Sequence, residues 1–306
     1  MRLLSLLLLS MLGLATSAFA GEVRNIDMYF EGRDRDFLLY IPDNISQFSA
    51  PYPLVVVLHG IASTSEQVME KSHGRFNELA GQFGFVVAYP NGLARNWDLG
   101  DGNAAALVLP KRDDRAFVAA VIDDIGARLP IDTSRVFATG FSLGGQMAFS
   151  MACTRPGLIR AVATVSMPLP AFLDDDCQTA DPFGVLLIHG TADPWVPYEG
   201  GTFPVGPKPR DIFLSHNASL AFFRAKNRCN PEAEDRATLD NVDDGTGIVI
   251  RAWRDCQGPA VASIAIFGGG HTWPKEDQAL ASRPVVGRVS QEIDAANEIW
   301  TFFQSF

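Results

Sequence analysis

The feature that most constrains the fold is a Gly-x-Ser-x-Gly segment, Gly140 to Gly144, which joins a predicted strand to a predicted helix. Residues 136–139 before it are mostly β-branched or aromatic, and helix-forming residues follow from 146 to 152. A strand that turns this sharply into a helix forces Ser142 into strained backbone angles, and bulky neighbours two residues away would clash. Glycine at both flanking positions removes that clash. The pattern therefore predicts that the Ser142 hydroxyl projects from the end of a strand.

Short apolar runs alternate with helical patterns along the chain. Buried strands are predicted over 54–58, 85–89, 161–165 and 185–188, and later strands over 248–250 and 262–267. Helices are predicted over 66–82, 113–128 and 291–303, and an antiparallel hairpin at a sheet edge over 23–30 and 36–41. This alternation is typical of an α/β fold with a mostly parallel central sheet and helices on both faces.

The first twenty residues have the pattern of a secretory signal peptide. An apolar run from 3 to 14 follows Met1-Arg2, and Ala18-Phe19-Ala20 is a small-x-small cleavage site. That run is too short for a stable membrane span, and no later stretch approaches about 20 unbroken apolar residues. We therefore expect residues 1–20 to be a signal peptide and 21–306 to form one domain, secreted or periplasmic. The formal net charge of −10 argues against nucleic acid as a partner.

All four cysteines lie in the second half of this chain, at Cys153, Cys177, Cys229 and Cys256. An exported protein can form disulfides, and four cysteines allow three connectivities. We favour Cys153 with Cys177 and Cys229 with Cys256, because each pair encloses one local excursion between predicted core elements. The spacings lack a Cys-x-x-Cys pair, which argues against a metal site.

A serine nucleophile needs a base, and the base needs an acid that holds its tautomer. His271 is the best base among five histidines, because it lies on a glycine-rich loop just past the last predicted strand. Asp193 follows a buried strand by a short loop, which would carry its carboxylate to the same sheet edge. The charge run Asp174 to Asp176 supplies alternative acids. The order Ser142, Asp193, His271 is that expected of an α/β-hydrolase.

Two main-chain amides are candidates for an oxyanion hole. The N–H of Leu143 opens the predicted helix, and the N–H of Ile61 follows His59-Gly60 at a strand end. We expect His59 to order this second loop. His73 and His216 lie in polar helical segments and are interpreted as solvated surface residues.

Taken together, the motifs resemble one known family. The matching segments are His59-Gly60, Gly140 to Gly145, His189 to Gly201 and Gly269 to Pro274. They resemble the secreted poly(3-hydroxybutyrate) depolymerase-like and feruloyl esterase group of α/β-hydrolases, over nearly all of residues 21–306. The resemblance implies carboxylic ester hydrolysis by Ser142, Asp193 and His271, with no metal or organic cofactor. It also implies paired cysteines, in agreement with the favoured connectivity.

The substrate is less closely defined. Trp97, Trp195 and Trp273 lie near the motif loops and are candidate contacts for an aromatic acyl group or a sugar, with ordinary packing as the alternative for each. The segment 61–64 departs from the glycine-rich or cysteine-containing sequence of many relatives, so we expect a different acyl pocket.

The leading hypothesis is a serine esterase that acts on feruloyl or related plant cell-wall esters, or on 3-hydroxybutyrate oligomers. Its partner is thus a small ester or a polysaccharide- or polyester-derived substrate. Two alternatives remain open at this point: a prolyl-oligopeptidase-like serine peptidase, and a catalytically silent hydrolase fold that binds carbohydrate.

Overall fold

A computed structural model describes residues 21–99, 112–203, 210–277 and 283–306; the predicted signal peptide lies outside the described residues. The strands are β1 (Gly21–Phe30), β2 (Arg33–Pro42), β3 (Tyr52–Leu58), β4 (Val86–Pro90), β5 (Ile131–Phe141), β6 (Ala161–Val165), β7 (Gly184–Gly190), β8 (Gly201–Phe203), β9 (Arg210–Phe213), β10 (Glu234–Leu239), β11 (Gly247–Trp253) and β12 (Val261–Phe267).

The described helices are α1 (Ser65–Lys71), α2 (Arg75–Phe83), α3 (Asp114–Arg128), α4 (Leu143–Thr154), α5 (Asp174–Thr179), α6 (His216–Lys226), α7 (Arg283–Val286) and α8 (Ala295–Phe303). None of them has the length and apolar character that crossing a membrane requires.

One large sheet organises these elements, in the strand order β1-β2-β4-β3-β5-β6-β7-β12-β11-β10. The six central strands, from β4 to β12, run parallel to one another. The two strands at each edge are antiparallel to their neighbours. The mostly parallel sheet and the amino-terminal hairpin at its edge are both confirmed. Parallel strands place their carboxyl ends at one edge of the sheet, which is where ligands bind in open α/β folds.

The β3 strand shows why its sequence is a continuous apolar run. Leu54, Val56 and Leu58 belong to one core cluster together with residues of α3, α4 and α6. Val55 and Val57 point to the other face, where they join residues of α1, α2 and α8. Both faces of the sheet are therefore covered by helices, as the sequence predicts, and a strand buried on both sides has no polar positions.

The single helix predicted over 66–82 is wrong, because the structure has two helices there. Between α1 and α2, His73 and Gly74 have φ angles of 52° and 65°. A left-handed backbone cannot continue a right-handed helix. The apolar pattern hides this break, since Val68 in α1 and Phe76 in α2 are both buried against the same face of the sheet. The break ends α1 at Lys71.

Two disulfides stabilise the second half of the chain. Cys153 at the end of α4 is bonded to Cys177 in α5, and Cys229 after α6 is bonded to Cys256 before β12. These are the pairs that the sequence favours. The bonds close sequence separations of 24 and 27 residues, and chain entropy assigns roughly 3.5 kcal/mol of stabilisation to each.

Candidate active site

Ser142 lies in the sharp turn between β5 and α4. Its φ and ψ angles are 54° and −121°, a strained backbone for a non-glycine residue that costs about 1–3 kcal/mol. A Cβ atom on Gly140 would overlap the backbone of Gly144, and a Cβ atom on Gly144 would overlap the carbonyl of Leu58. The Ser142 N–H donates to Val165 O at 2.9 Å, which ties the turn to β6. Close backbone packing thus requires both glycines of the motif.

Asp193 and His271 form a hydrogen-bonded pair at the same edge of the sheet. His271 Nδ1 lies 2.8 Å from Asp193 Oδ2, and Asp193 Oδ1 accepts the N–H groups of Trp195 at 2.9 Å and Val196 at 2.8 Å. Burial alone would raise the pKa of Asp193, but hydrogen bonds from His189 and His271 outweigh it and hold that pKa below the usual range. An ionised Asp193 places the proton of neutral His271 on Nδ1 and leaves Nε2 as its basic nitrogen.

His189 is a functional candidate that the sequence analysis did not assign. Its Nε2 lies 3.0 Å from Val196 O and 3.4 Å from Asp193 Oδ2, and the side chain is buried. The imidazole therefore contacts the Asp193 carboxylate and the loop that carries it. Its position four residues before Asp193, at the end of a buried strand, was the only sequence signal for this contact.

His216 is not the solvated surface residue that its polar surroundings in the sequence predict. It is 1% exposed, and its ring stacks on Tyr198 with centroids 4.7 Å apart and lies 5.8 Å from the ring of His189. Burial lowers the pKa of His216 well below its ordinary value. The prediction fails because the first turn of α6 packs beneath the loop that follows Asp193. His73 is exposed, as expected.

His59 holds the loop that carries the second candidate oxyanion amide. Its Nε2 accepts the Gly92 N–H at 2.9 Å, so Nδ1 carries the proton and donates to Gly60 O at 2.7 Å. Burial lowers the pKa of His59 to about 4, and the imidazole is neutral at pH 7. Within the described residues, the amides of Ile61 and Leu143 have no protein acceptor, so both remain available to an oxygen in the site.

A cavity of about 320 Å³ opens over these groups. Ser142, His271, Ser63, Lys71 and Gly60 supply its polar lining. The other walls are apolar and consist of Ile61, Val68, Phe141, Trp195, Val285 and Val286. Such a cavity, apolar with a few polar groups near the reacting centre, is the usual form of a small-molecule site.

One of the three tryptophans proposed as substrate contacts lies in the cavity wall. Trp195 lines the cavity, and its indole N–H donates to Val285 O at 2.8 Å. Trp97 is fully buried, where it stacks on His59 with centroids 4.6 Å apart. Trp273 is 1% exposed and packs edge-on against Phe76 of α2. The expectation is therefore wrong for Trp97 and Trp273, because both side chains fill the core beneath the loops.

Four cavity residues lie outside every motif and outside the 61–64 segment, and one of them is Val68 of α1. Lys71 ends α1, and Val285 and Val286 belong to the short helix α7. Their approach to Ser142 depends on long-range packing. Backbone hydrogen bonds hold the loop that carries His271 against this region, from His271 N to Val286 O at 2.6 Å and from Gly270 N to Arg288 O at 2.9 Å.

Comparison with known proteins identifies the family. A sequence model described as "Esterase PHB depolymerase" matches residues 36–170. The chain is 30% identical to the putative esterase NocK of Nocardia uniformis subsp. tsuyamanensis over 277 residues, 87% of this chain and 78% of that protein. It is 34% identical to the probable feruloyl esterase C of Aspergillus terreus over 243 residues, 78% of this chain and 76% of that protein.

A solved structure shares the fold. The acetyl xylan esterase from Aspergillus awamori superposes with a TM-score of 0.56 at 17% identity, over 87% of this chain and 98% of that one. With the family match, this completes the evidence for the predicted fold class. The chain belongs to the PHB depolymerase-like and feruloyl esterase family of α/β-hydrolases and is a carboxylic ester hydrolase.

Proposed function

We propose that this protein is a secreted serine esterase in which Ser142 is the nucleophile, His271 the base and Asp193 the acid, and that it hydrolyses feruloyl or related hydroxycinnamoyl esters of plant cell walls. One observation carries the proposal. The strained turn presents Ser142 to the same cavity as His271, whose Nδ1 lies 2.8 Å from the Asp193 carboxylate. Relatives named as feruloyl esterases support the choice of substrate.

In the acylation step, Ser142 Oγ attacks the ester carbonyl while its proton moves to His271 Nε2. Asp193 stabilises the imidazolium that results, because its buried carboxylate stays charged. The carbonyl oxygen becomes an oxyanion and accepts the N–H groups of Leu143 and Ile61. Each donor of this kind contributes on the order of a hundredfold in rate.

The tetrahedral intermediate collapses when the bond to the alcohol oxygen breaks. His271 returns its proton to that oxygen, the alcohol leaves, and the acyl group remains on Ser142. A water molecule then attacks the acyl carbon while His271 Nε2 takes its proton. The second collapse releases the carboxylic acid and restores the Ser142 hydroxyl.

Export as one catalytic unit is part of the proposal. The signal-peptide pattern of residues 1–20 and the two disulfides support an extracellular or periplasmic location. The two core clusters pack against opposite faces of one sheet, which supports a single domain over residues 21–306.

A second substrate class is 3-hydroxybutyrate oligomers. The family description, which names PHB depolymerase, favours it. The apolar walls of the cavity, with two aromatic side chains, favour the hydroxycinnamoyl group instead. Turnover of residues 21–306 on methyl ferulate, a 3-hydroxybutyrate dimer, acetylated xylan and p-nitrophenyl butyrate ranks the candidates. A higher kcat/KM for the dimer than for the ferulate would reverse our choice.

The nucleophile is tested with Ser142→Ala. We expect kcat/KM for p-nitrophenyl butyrate to fall by at least about 10⁴-fold, because the acyl-enzyme cannot form. Ser134→Ala, at an exposed position on β5, is the matched control and should retain the wild-type value. Residual turnover within tenfold of the wild type would exclude Ser142 as the nucleophile.

A fluorophosphonate probe separates the esterase from the alternatives. The wild-type protein should be labelled on Ser142, whereas a silent carbohydrate-binding fold would not react. Faster release of amines from dipeptidyl amides than of alcohols from esters would favour the peptidase.

A further inference from the structure

Lys71 is the one lysine or arginine among the residues that line the cavity in the described part of the chain. It is the last residue of α1, and its side chain is 26% exposed. The ammonium lies 4.9 Å from the centre of the Phe141 ring, and the Phe141 and His271 ring centres are also 4.9 Å apart. Phe141 thus contacts both the ammonium and the proposed base.

Glu276 holds this ammonium in place. Its carboxylate is 3% exposed, and its Oε2 pairs with Lys71 Nζ. Its Oε1 accepts the Trp273 N–H at 3.0 Å, which fixes the carboxylate on the loop that carries His271. An ammonium group has three N–H donors, and Glu276 is its one hydrogen-bond acceptor among the described residues. Donors therefore remain for a ligand in the cavity.

The acyl group is the part of the substrate that this cavity can enclose. In a cell-wall ester the alcohol belongs to a polysaccharide, which must continue into solvent and cannot enter a space of about 320 Å³. An aromatic acyl group fits walls made of Phe141, Trp195 and aliphatic side chains. A fixed donor in such a wall distinguishes acyl groups by the oxygens that they carry.

We propose that Lys71 selects hydroxycinnamoyl esters by donating a hydrogen bond to an oxygen substituent on the aromatic ring of the acyl group. The inference rests on the proposed esterase function. A ring that lacks oxygen would displace water from the ammonium without replacing the hydrogen bond. Sites that hydrogen-bond a substrate oxygen reject analogues without that oxygen for this reason. Lys71 is thus a specificity residue, and it takes no part in proton transfer.

Two esters of nearly equal shape test this role. Methyl 4-hydroxycinnamate carries a ring oxygen, and methyl 4-methylcinnamate has a methyl group in its place. We expect Lys71→Met to lower the ratio of their kcat/KM values by about tenfold or more, with most of the change in KM. Lys71→Arg, which keeps charge and donors, should restore most of the ratio. Lys275→Met removes a charge from an exposed residue of the base loop that does not line the cavity, and it should keep the wild-type ratio.

A structural role for Lys71 gives a different result. If the residue only holds the base loop through Glu276, Lys71→Met will lower kcat for both esters equally and leave their ratio unchanged. That outcome would overturn the inference and leave the esterase proposal intact. Failure of the wild-type protein to hydrolyse any ester would overturn the esterase proposal itself.

Discussion

The dipeptide His-Gly follows β3 and ends β7, yet the two imidazoles hold their loops in opposite ways. His59 accepts the Gly92 N–H at Nε2 and donates from Nδ1 to Gly60 O. His189 donates from Nε2 to Val196 O, and its Nδ1 has no partner among the described residues. The two buried rings are therefore opposite tautomers, each set by the backbone groups of the loop beside it.

The difference follows from what each loop must present. The His59 loop presents the backbone amide of Ile61. A neutral imidazole that bonds to neutral backbone groups is enough to hold this loop. The His189 loop presents a carboxylate, and its ring lies 3.4 Å from Asp193 Oδ2. The same dipeptide thus supports an electrically neutral structure at one strand end and a negative charge at the other. Variants on the two sides should fail differently.

The largest effect is expected on the charged side. Asp193→Asn removes the negative charge that faces His189 and His271, and in the proposed mechanism this charge holds the tautomer of His271 and stabilises its imidazolium. We expect kcat for p-nitrophenyl butyrate to fall about 10³- to 10⁴-fold. Steady-state kinetics measure this fall in kcat, and circular dichroism verifies that the variant is folded.

The control comes from the alternative acids. Asp175 is exposed in α5, and Asp175→Asn should leave kcat at the wild-type value. A fall of less than tenfold in Asp193→Asn would show that Asp193 is not the acid of the triad.

The next largest effect concerns His59 and is a loss of stability at low pH. The folded protein holds the pKa of His59 at about 4, below the ordinary value of 6.5, because the ring is buried. Between pH 4 and pH 6.5 the His59 imidazole is protonated in the unfolded chain and neutral in the folded chain. The stabilisation is therefore complete above pH 6.5 and is lost as pH falls toward 4. This loss lowers the unfolding free energy by about 3 kcal/mol at pH 4.

Urea unfolding at pH 7 and pH 4 measures this loss. In His59→Gln the decrease in unfolding free energy between the two pH values should be about 3 kcal/mol smaller than in the wild type. His73→Gln removes an exposed histidine and should keep the wild-type decrease. Equal decreases in all three proteins would mean that the pKa of His59 is the same in the folded and the unfolded state.

The candidate triad could be predicted from the sequence by two simple rules. The position of Ser142 follows from local sterics, because Gly140 and Gly144 are needed wherever a strand turns this sharply. Asp193 and His271 were placed by a second rule, that parallel strands end at one edge, and the structure brings them to 2.8 Å. Fold class and candidate triad thus required no knowledge of side-chain packing.

The exposure and contacts of individual side chains could not be predicted from these two rules. Trp273 is buried against Phe76 of α2, and Lys71 lines the cavity from the end of α1, two residues before the left-handed residue His73. His216 is covered by the ring of Tyr198. Each fact depends on segments distant in the chain or on a backbone reversal that an apolar pattern does not record.

The smallest effect compares the glycines that follow the two histidines. A Cβ atom on Gly190 would overlap the carbonyl groups of Gly269 and Gly270, whereas one on Gly60 would lie 3.2 Å from the Phe141 ring and 3.3 Å from the Phe141 carbonyl oxygen. The overlap at Gly190 requires the backbone to move, whereas the contacts at Gly60 require their neighbours to shift by only a few tenths of an ångström. We expect Gly190→Ala to lower the unfolding free energy by about 2 kcal/mol and Gly60→Ala by about 0.5 kcal/mol.

Activity should separate the same two variants. Gly190→Ala pushes directly on the loop that carries His271, so kcat should fall together with stability. Gly60→Ala displaces the Phe141 ring, which is part of the cavity wall, so its loss should be found mainly in KM. Urea unfolding and steady-state kinetics with methyl ferulate measure both quantities. Equal losses in the two variants would mean that the two strand ends tolerate a methyl group equally, and that the close packing at Gly190 is not what positions the base.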